Sequence, residues 1–339
     1  MKNQSNQIIE SYRNNLLEIG YSFFKPRVLI TATKLDLFNT IGETHITVRE
    51  IASRLDLDRD ATETFLNAMV SLGFLGKDKN SYFNTEEGKE VFIKGKEGYI
   101  GDIIILQDMM WNSWSKLEES IITGKPTRRP DMFQEKREET RNFIRAMHNT
   151  AMANAPFLSK NINFPGYKTL IDVGGGPGTY SVYFCIENPE LESTILDLPG
   201  TLEITKELIS LADVSDRITL MEGDFHEKID GNYDAAFLAN IIHCLGEEEN
   251  SALIKRVYHA LNDGGMIVIQ DFILDDEKTS PPFPALFSLN MLLFTENGKS
   301  YSFNEIENWL EEAGFRNLER IRIPLPRSIS VLIGKKEIV

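Results

Sequence analysis

The chain has little of what builds disulfide-stapled, metal-binding or membrane proteins. Its 339 residues include two cysteines, Cys185 and Cys244. Two are too few for a disulfide framework, and nothing suggests an oxidising compartment. The five histidines, at 45, 148, 226, 243 and 259, show no metal-ligand spacing, so no metal is predicted. No apolar run reaches the roughly 18 residues needed to span a bilayer, and the polar start Met1 to Gln7 lacks the apolar stretch of a signal peptide. A cytoplasmic protein without a membrane partner is expected. Positive charge is scarce: 36 Lys and Arg against 51 Asp and Glu leave a net charge of −15. Binding to nucleic acid depends on cations that meet phosphates, so no nucleic-acid partner is expected. Internal repeats and low-complexity tracts are also missing, and the length suffices for two domains with a substantial core.

What the chain does have is glycine in one dense run. Leu170-Ile171-Asp172-Val173 reads as an apolar strand that opens into Gly174-Gly175-Gly176-Pro177-Gly178. Glycine permits a tight turn with positive φ and lets a ligand approach the backbone. Thr179 to Phe184 can then start a helix whose first N–H groups face that ligand. The dinucleotide fingerprint G-x-G-x-x-G fails from either start, because its last position falls on Thr179 or Ser181. The run reads as G-x-G-x-G instead.

Further strands follow at regular spacing. Ser193 to Leu198 ends in Asp197, about 20 residues past the glycines, where a carboxylate can accept from two ribose hydroxyls. Arg217 to Phe225 carries Asp224 and Phe225 at its end, suited to hydrogen-bond and stack on an adenine. Tyr233 to Asn240 leads into His243, and Gly264 to Asp271 is a fifth strand. Strands alternating with helices predict a parallel sheet with helices on both faces, and ligands lie at the carboxyl ends of such strands. Asn317 to Ile323 and Ser328 to Ile333, joined by the turn Pro324-Leu325-Pro326, predict a closing antiparallel hairpin.

These pieces, as IDVGGGPG, ILDLPG, EGDF, LANIIH, LNDGGMIVIQD and GKSYSFNEIENWLEEAGF, are similar to the class I S-adenosylmethionine-dependent O-methyltransferases of the plant caffeic acid type and their bacterial small-molecule relatives. The resemblance covers about residue 165 to the C-terminus. It implies an α/β, Rossmann-like domain with a mostly parallel seven-stranded sheet. It implies S-adenosylmethionine as cofactor and S-adenosylhomocysteine as product, with Asp172, Gly174, Gly176, Asp197, Leu198, Asp224, Phe225 and Asn240 at the cofactor. Asn240 stands where the family has a lysine. The resemblance makes His243 the general base and Asp271 its acidic partner, and places Phe143, Met147, Asn290, Met291 and Phe294 near an aromatic acceptor. Cys244-Leu245 replaces the Asp-Trp pair of the plant members, and Ser300 stands where they have a second glutamate.

In the first half, Val28 to Phe38, Thr47 to Leu55 and Asp60 to Leu72 have helical apolar spacing, and a hairpin from Leu75 to Asn84 follows around Asp78-Lys79-Asn80. That is a winged-helix order. Its presumptive recognition helix and approach carry Asp56, Asp58, Asp60 and Glu63 against Arg54 and Arg59, which argues against DNA. The family uses the same module for dimerisation, so a homodimer is implied. The expected organisation is a winged-helix-like dimerisation domain at 1–100, a helical connector at 101–163 and the cofactor-binding domain at 164–339. Alternatives are methylation of carbon, nitrogen or sulfur on the same fold, use of the cofactor without methyl transfer, a cofactor-sensing regulator, or a nicotinamide dehydrogenase.

Overall fold

The computed structural model describes residues 2–128, 134, 136–322 and 328–338. The chain divides into two compact units, Met1–Asp108 and Met109–Val339.

In the first unit, the helix expected over Val28 to Phe38 is two helices, Phe24–Lys34 and Leu37–Ile41. Asp36 breaks the run by taking a left-handed conformation (φ 56°), and its Oδ1 accepts from Asn39 Nδ2 at 2.9 Å. Apolar periodicity carries across such a break unseen, because both pieces bury into one core of Leu37, Phe38, Ile41, Ile51, Leu66 and Met69. Helix Val48–Leu55 starts where Thr47 and Glu50 cap each other reciprocally. Helix Arg59–Ser71 starts where Asp58 Oδ1 accepts from the Ala61 amide at 2.8 Å. Strand β1 (Ile46–Thr47) joins β2 (Leu75–Asp78) and β3 (Ser81–Asn84) in a small antiparallel sheet of order β1-β3-β2. This is the winged-helix arrangement. Buried Asn84 ties its last strand to the helices through bonds of 2.8 Å to the Phe38 and Gly42 carbonyls. A 20-residue helix, Lys2–Tyr21, precedes all of this, and Ile8, Ile9, Tyr12, Leu16 and Leu17 on it are exposed.

The second unit is built on β4 (Thr169–Val173), β5 (Glu192–Asp197), β6 (Ile218–Glu222), β7 (Tyr233–Ala239), β8 (Leu261–Asp271), β9 (Phe315–Arg322) and β10 (Ser330–Lys336). The sheet order is β6-β5-β4-β7-β8-β10-β9. β4 to β8 are parallel, and β10 pairs antiparallel with both β8 and β9. The closing hairpin is therefore present, although the Pro324-Leu325-Pro326 turn lies outside the described residues. Helix-covered apolar layers form on both faces. One includes Ile171, Ile267, Ile269, Leu253 and Phe315; the other includes Leu170, Phe184, Phe237, Val268 and Val331. Burial on both faces explains the unbroken apolar runs of the central strands. Strand order reverses at β4, which has β5 on one side and β7 on the other. Ligands of such sheets bind outside the carboxyl ends at this switch point.

Candidate active site

A cavity of about 530 Å³ opens at those strand ends. The glycine turn forms one wall. A Cβ on Gly175 would come within 2.7 Å of the Asp172 carboxyl carbon, so that glycine lets the turn close over Asp172. Gly176 differs: φ is +52°, and a Cβ there would face open cavity, with only the Gly174 carbonyl oxygen at 4.0 Å. At that point the backbone itself is offered to a ligand.

Asp197, at the end of β5, accepts from the Gly176 amide through Oδ2 (2.9 Å) and from the Leu198 amide through Oδ1 (2.7 Å). Burial holds its carboxyl above the usual range, against the opposing pull of those two amides. The carboxylate keeps acceptor capacity for a ligand hydroxyl. Asp172 is 1% exposed; its Oδ2 accepts from Ser181 Oγ at 2.6 Å, and Ser181 accepts from Ser193 Oγ at 2.9 Å. Its Oδ1 has no partner among the described residues. Burial, opposed by the Ser181 bond and aided by the nearby Asp197 charge, pushes this carboxyl up to about 7. Asp224 and Phe225 line the cavity beyond β6, with Asp224 Oδ1 accepting from the His226 amide at 2.8 Å. Asn240 takes φ 57°, an uncommon conformation for a non-glycine residue that is enriched at binding sites. Its amide donates to the Gln270 carbonyl (2.9 Å), and its Oδ1 accepts from Gln270 Nε2 (3.2 Å).

His243 and Asp271 meet across adjacent strand ends. The imidazole Nδ1 lies 2.6 Å from Asp271 Oδ1, and the two residues are 5% and 2% exposed. Asp271 Oδ1 also accepts from the Phe272 amide at 2.7 Å. Phe287 approaches the imidazole edge-on at 4.8 Å. Burial disfavours charge on the ring, but Asp271, with a smaller share from Cys244, overcomes it and pushes the imidazole up to about 10. The ring sits behind the cavity wall; its neighbours Asn240, Ile241, Cys244 and Leu245 line it.

Of the expected acceptor residues, Phe143 and Met147 line this cavity from helix Arg137–Met152. Asn290, Met291 and Phe294 lie on helix Pro282–Phe294, outside its lining. Asn290 Oδ1 instead accepts from Trp114 Nε1 at 3.0 Å, and Met291 is buried. Ser300 is buried with its Oγ unpartnered, and its amide donates to Ser288 Oγ at 3.1 Å. The cavity also has walls that sequence reasoning missed: Gln134, Thr150, Tyr180, Thr201 and the segment Thr295 to Asn297. The last had one signal, Gly298, whose Cβ would meet the His243 carbonyl oxygen at 2.4 Å. Among the described residues, no group of three His, Cys, Asp or Glu side chains could hold a metal ion, and no helix is long and apolar enough to cross a membrane.

Comparison with known proteins identifies the family. A family model described as the O-methyltransferase domain matches residues 124–316, and one described as the O-methyltransferase dimerisation domain matches residues 17–92. Similar curated proteins include the tetracenomycin polyketide synthesis 8-O-methyl transferase of Streptomyces glaucescens, 27% identical over 95% of this chain and 96% of the relative. Another is the 3-hydroxy-5-methyl-1-naphthoate 3-O-methyltransferase of Streptomyces sahachiroi, 28% identical over 95% and 94%. Among solved structures, human N-acetylserotonin methyltransferase in complex with S-adenosylmethionine superposes with a TM-score of 0.88 at 22% identity, over 96% of this chain and 98% of that one.

Proposed function

This chain belongs to the O-methyltransferase family, and from that membership we propose that it methylates a hydroxyl of an aromatic or polyketide-like small molecule, using S-adenosylmethionine and releasing S-adenosylhomocysteine. The observation that carries the reading is the meeting, at one set of strand ends, of an open-faced glycine turn braced by Asp197 and a buried His243–Asp271 pair.

The residues present fit the cofactor. Asp172 and Tyr180 line the cavity, each with a buried polar atom, Oδ1 and the hydroxyl, that lacks a partner among the described residues, and Gly176 leaves room at the turn. Asp197 would take the ribose hydroxyls, Asp224 and Phe225 the adenine, and Gly174, Gly176, Leu198 and Asn240 the remaining wall. Asp172 would balance the charge of the amino group. When bound, S-adenosylmethionine supplies a methyl group on a cationic sulfur, open to direct displacement by the acceptor oxygen. The protein's part is to orient, exclude water and move one proton. A phenol, with a pKa of about 10, is a weak nucleophile at neutral pH. In its neutral form, with Nδ1–H donating to Asp271, the His243 ring would take the acceptor's proton at Nε2, and the Asp271 charge that raises the imidazole to about 10 stabilises the imidazolium that results. Phe143 and Met147 offer an apolar wall to a flat acceptor, and Asn290, Met291 and Phe294, on helix Pro282–Phe294, would be further acceptor contacts. The relatives also include an L-tyrosine C(3)-methyltransferase of Streptomyces lavendulae, and the His243–Asp271 pair is what favours oxygen here.

The N-terminal winged helix would serve homodimerisation, supported by the exposed apolar side chains of helix Lys2–Tyr21. We place the organisational boundaries near residues 100 and 163, with the helical connector on the acceptor side through Phe143 and Met147. A cytoplasmic site accords with two free thiols.

The test is calorimetric titration with S-adenosylmethionine, S-adenosylhomocysteine and NAD, on wild type and Asp197→Ala, followed by turnover of phenolic acceptors. Binding of the two sulfur compounds but not NAD, weakened in the variant, is expected. Methylated product and S-adenosylhomocysteine should then form in equal amounts. Failure of both sulfur compounds to bind the wild type overturns the assignment.

A further inference from the structure

Tyr180 lines the cavity with a buried hydroxyl to which no cofactor group has been assigned above. It sits in the first turn of helix Thr179–Glu187, two residues past Gly178, and is 6% exposed. Its ring packs edge-on against Phe237 at 5.2 Å, which fixes the direction of the side chain. The hydroxyl has no hydrogen-bond partner among the described residues, although the residue lines the cavity. Asn154 and Asn240 approach it without completing a bond, and the carboxylates of Asp172 and Asp271 both act on it. Those two acids mark the glycine-turn end and the imidazole end of the site. A buried phenol left unsatisfied costs free energy in the ligand-free protein, so a binding partner for it is called for. Two carboxylates nearby disfavour a second anion there, whereas a cation meeting the phenol oxygen's lone pairs is favoured.

We propose that the Tyr180 hydroxyl is a contact for the cationic sulfur centre of S-adenosylmethionine, so that it favours the charged cofactor over the neutral S-adenosylhomocysteine. This rests on the methyl-transfer reading above and adds a direct cofactor contact to it. A ligand held at Gly176 and Asp197 and reacting beside His243 must span from one end of the site to the other, and Tyr180 lines the same cavity from the first turn of the helix that follows the glycine turn. Product release follows from the same contact, because loss of the charge removes the reason to stay.

The experiment is Tyr180→Phe, which keeps the ring packing and removes only the oxygen. Calorimetry is expected to show S-adenosylmethionine weakened about tenfold, with S-adenosylhomocysteine changed less than about twofold. Thermal unfolding of the ligand-free variant is expected at or above the wild-type temperature, because the deleted hydroxyl had no partner. Equal weakening of both compounds, or no weakening of either, overturns the proposal while leaving methyl transfer intact. A fall of several degrees in the ligand-free unfolding temperature also overturns it, since it would reveal a structural bond. If the wild type binds neither compound, methyl transfer itself fails and the proposal falls with it.

Discussion

Replacing Asp172 by Asn should make the ligand-free protein more stable at pH 8 and a poorer binder of its cofactor. The carboxyl is 1% exposed, has one oxygen without a partner and is pushed up to about 7 from an ordinary 3.8, chiefly by burial. In the unfolded chain the group ionises near 3.8; in the folded protein it does so near 7. Below pH 4 both states hold the proton and the group is neutral in the balance. As the pH rises from about 4 to about 7 the unfolded chain gives the proton up first, so the folded state loses relative stability, and above 7 the loss is complete. The interval corresponds to roughly 4 kcal/mol at full ionisation. Asn keeps the shape and can still accept from Ser181, but its amide hydrogens lack partners, which costs about 1–3 kcal/mol. A net gain of about 1–3 kcal/mol remains at pH 8. For a unit the size of Met109–Val339 each kcal/mol moves the unfolding temperature by about 2–4 °C. Thermal unfolding at pH 5 and pH 8 is the assay. The variant should unfold several degrees above wild type at pH 8, and the gain should shrink or vanish at pH 5. Calorimetry should show weaker binding of S-adenosylhomocysteine, which brings an amino group to pair with the carboxylate. A variant destabilised by the same amount at both pH values would refute the reasoning, because it would mean that the carboxylate has a structural partner.

Gly176→Ala puts a methyl group into the cavity at φ +52°, so it should lower stability by only about 1 kcal/mol yet weaken cofactor binding more than tenfold; calorimetry showing wild-type affinity would remove the turn from the binding site. His243→Ala should lower turnover far more than cofactor affinity, and near-normal turnover would end its role as base. With the imidazole raised to about 10 by Asp271, kcat/KM should climb between pH 7 and 10, and Asp271→Asn should move that limb to lower pH with a lower plateau; a flat wild-type profile would count against the pair. The same raised value makes the pair's stabilisation fully present below pH 6.5 and lost as the pH rises through about 10. Leu16→Asp with Leu17→Asp, at 49% and 50% exposure, should shift the protein from dimer to monomer in light scattering, whereas an unchanged mass would place the interface elsewhere.

The strand, glycine turn and helix from Leu170 to Phe184 were legible in the sequence because each depends on local chemistry: an apolar run, residues free to take positive φ, and a helix start. The carboxylates at strand ends were legible for the same reason, as period and punctuation place Asp197 and Asp271 at the last residue of their strands. The break at Asp36 was not, because burial of both halves in one core preserves the helical rhythm across it.

Contacts between segments far apart in sequence belonged to the tertiary structure. The register of β7 against β8 brings His243 within 2.6 Å of Asp271, 28 residues away. Packing of helix Pro282–Phe294 turns Asn290 to Trp114 and sets Phe287, which the motifs had not singled out as a site residue, against the imidazole. Only the assembled cavity shows that Cys244 rather than His243 forms its wall, and that Tyr180, which lines it, carries a buried hydroxyl with no partner among the described residues. Spacing along the chain determines which groups arrive at the strand ends; the direction each one faces is settled by side chains packed from other segments, and that information is not local.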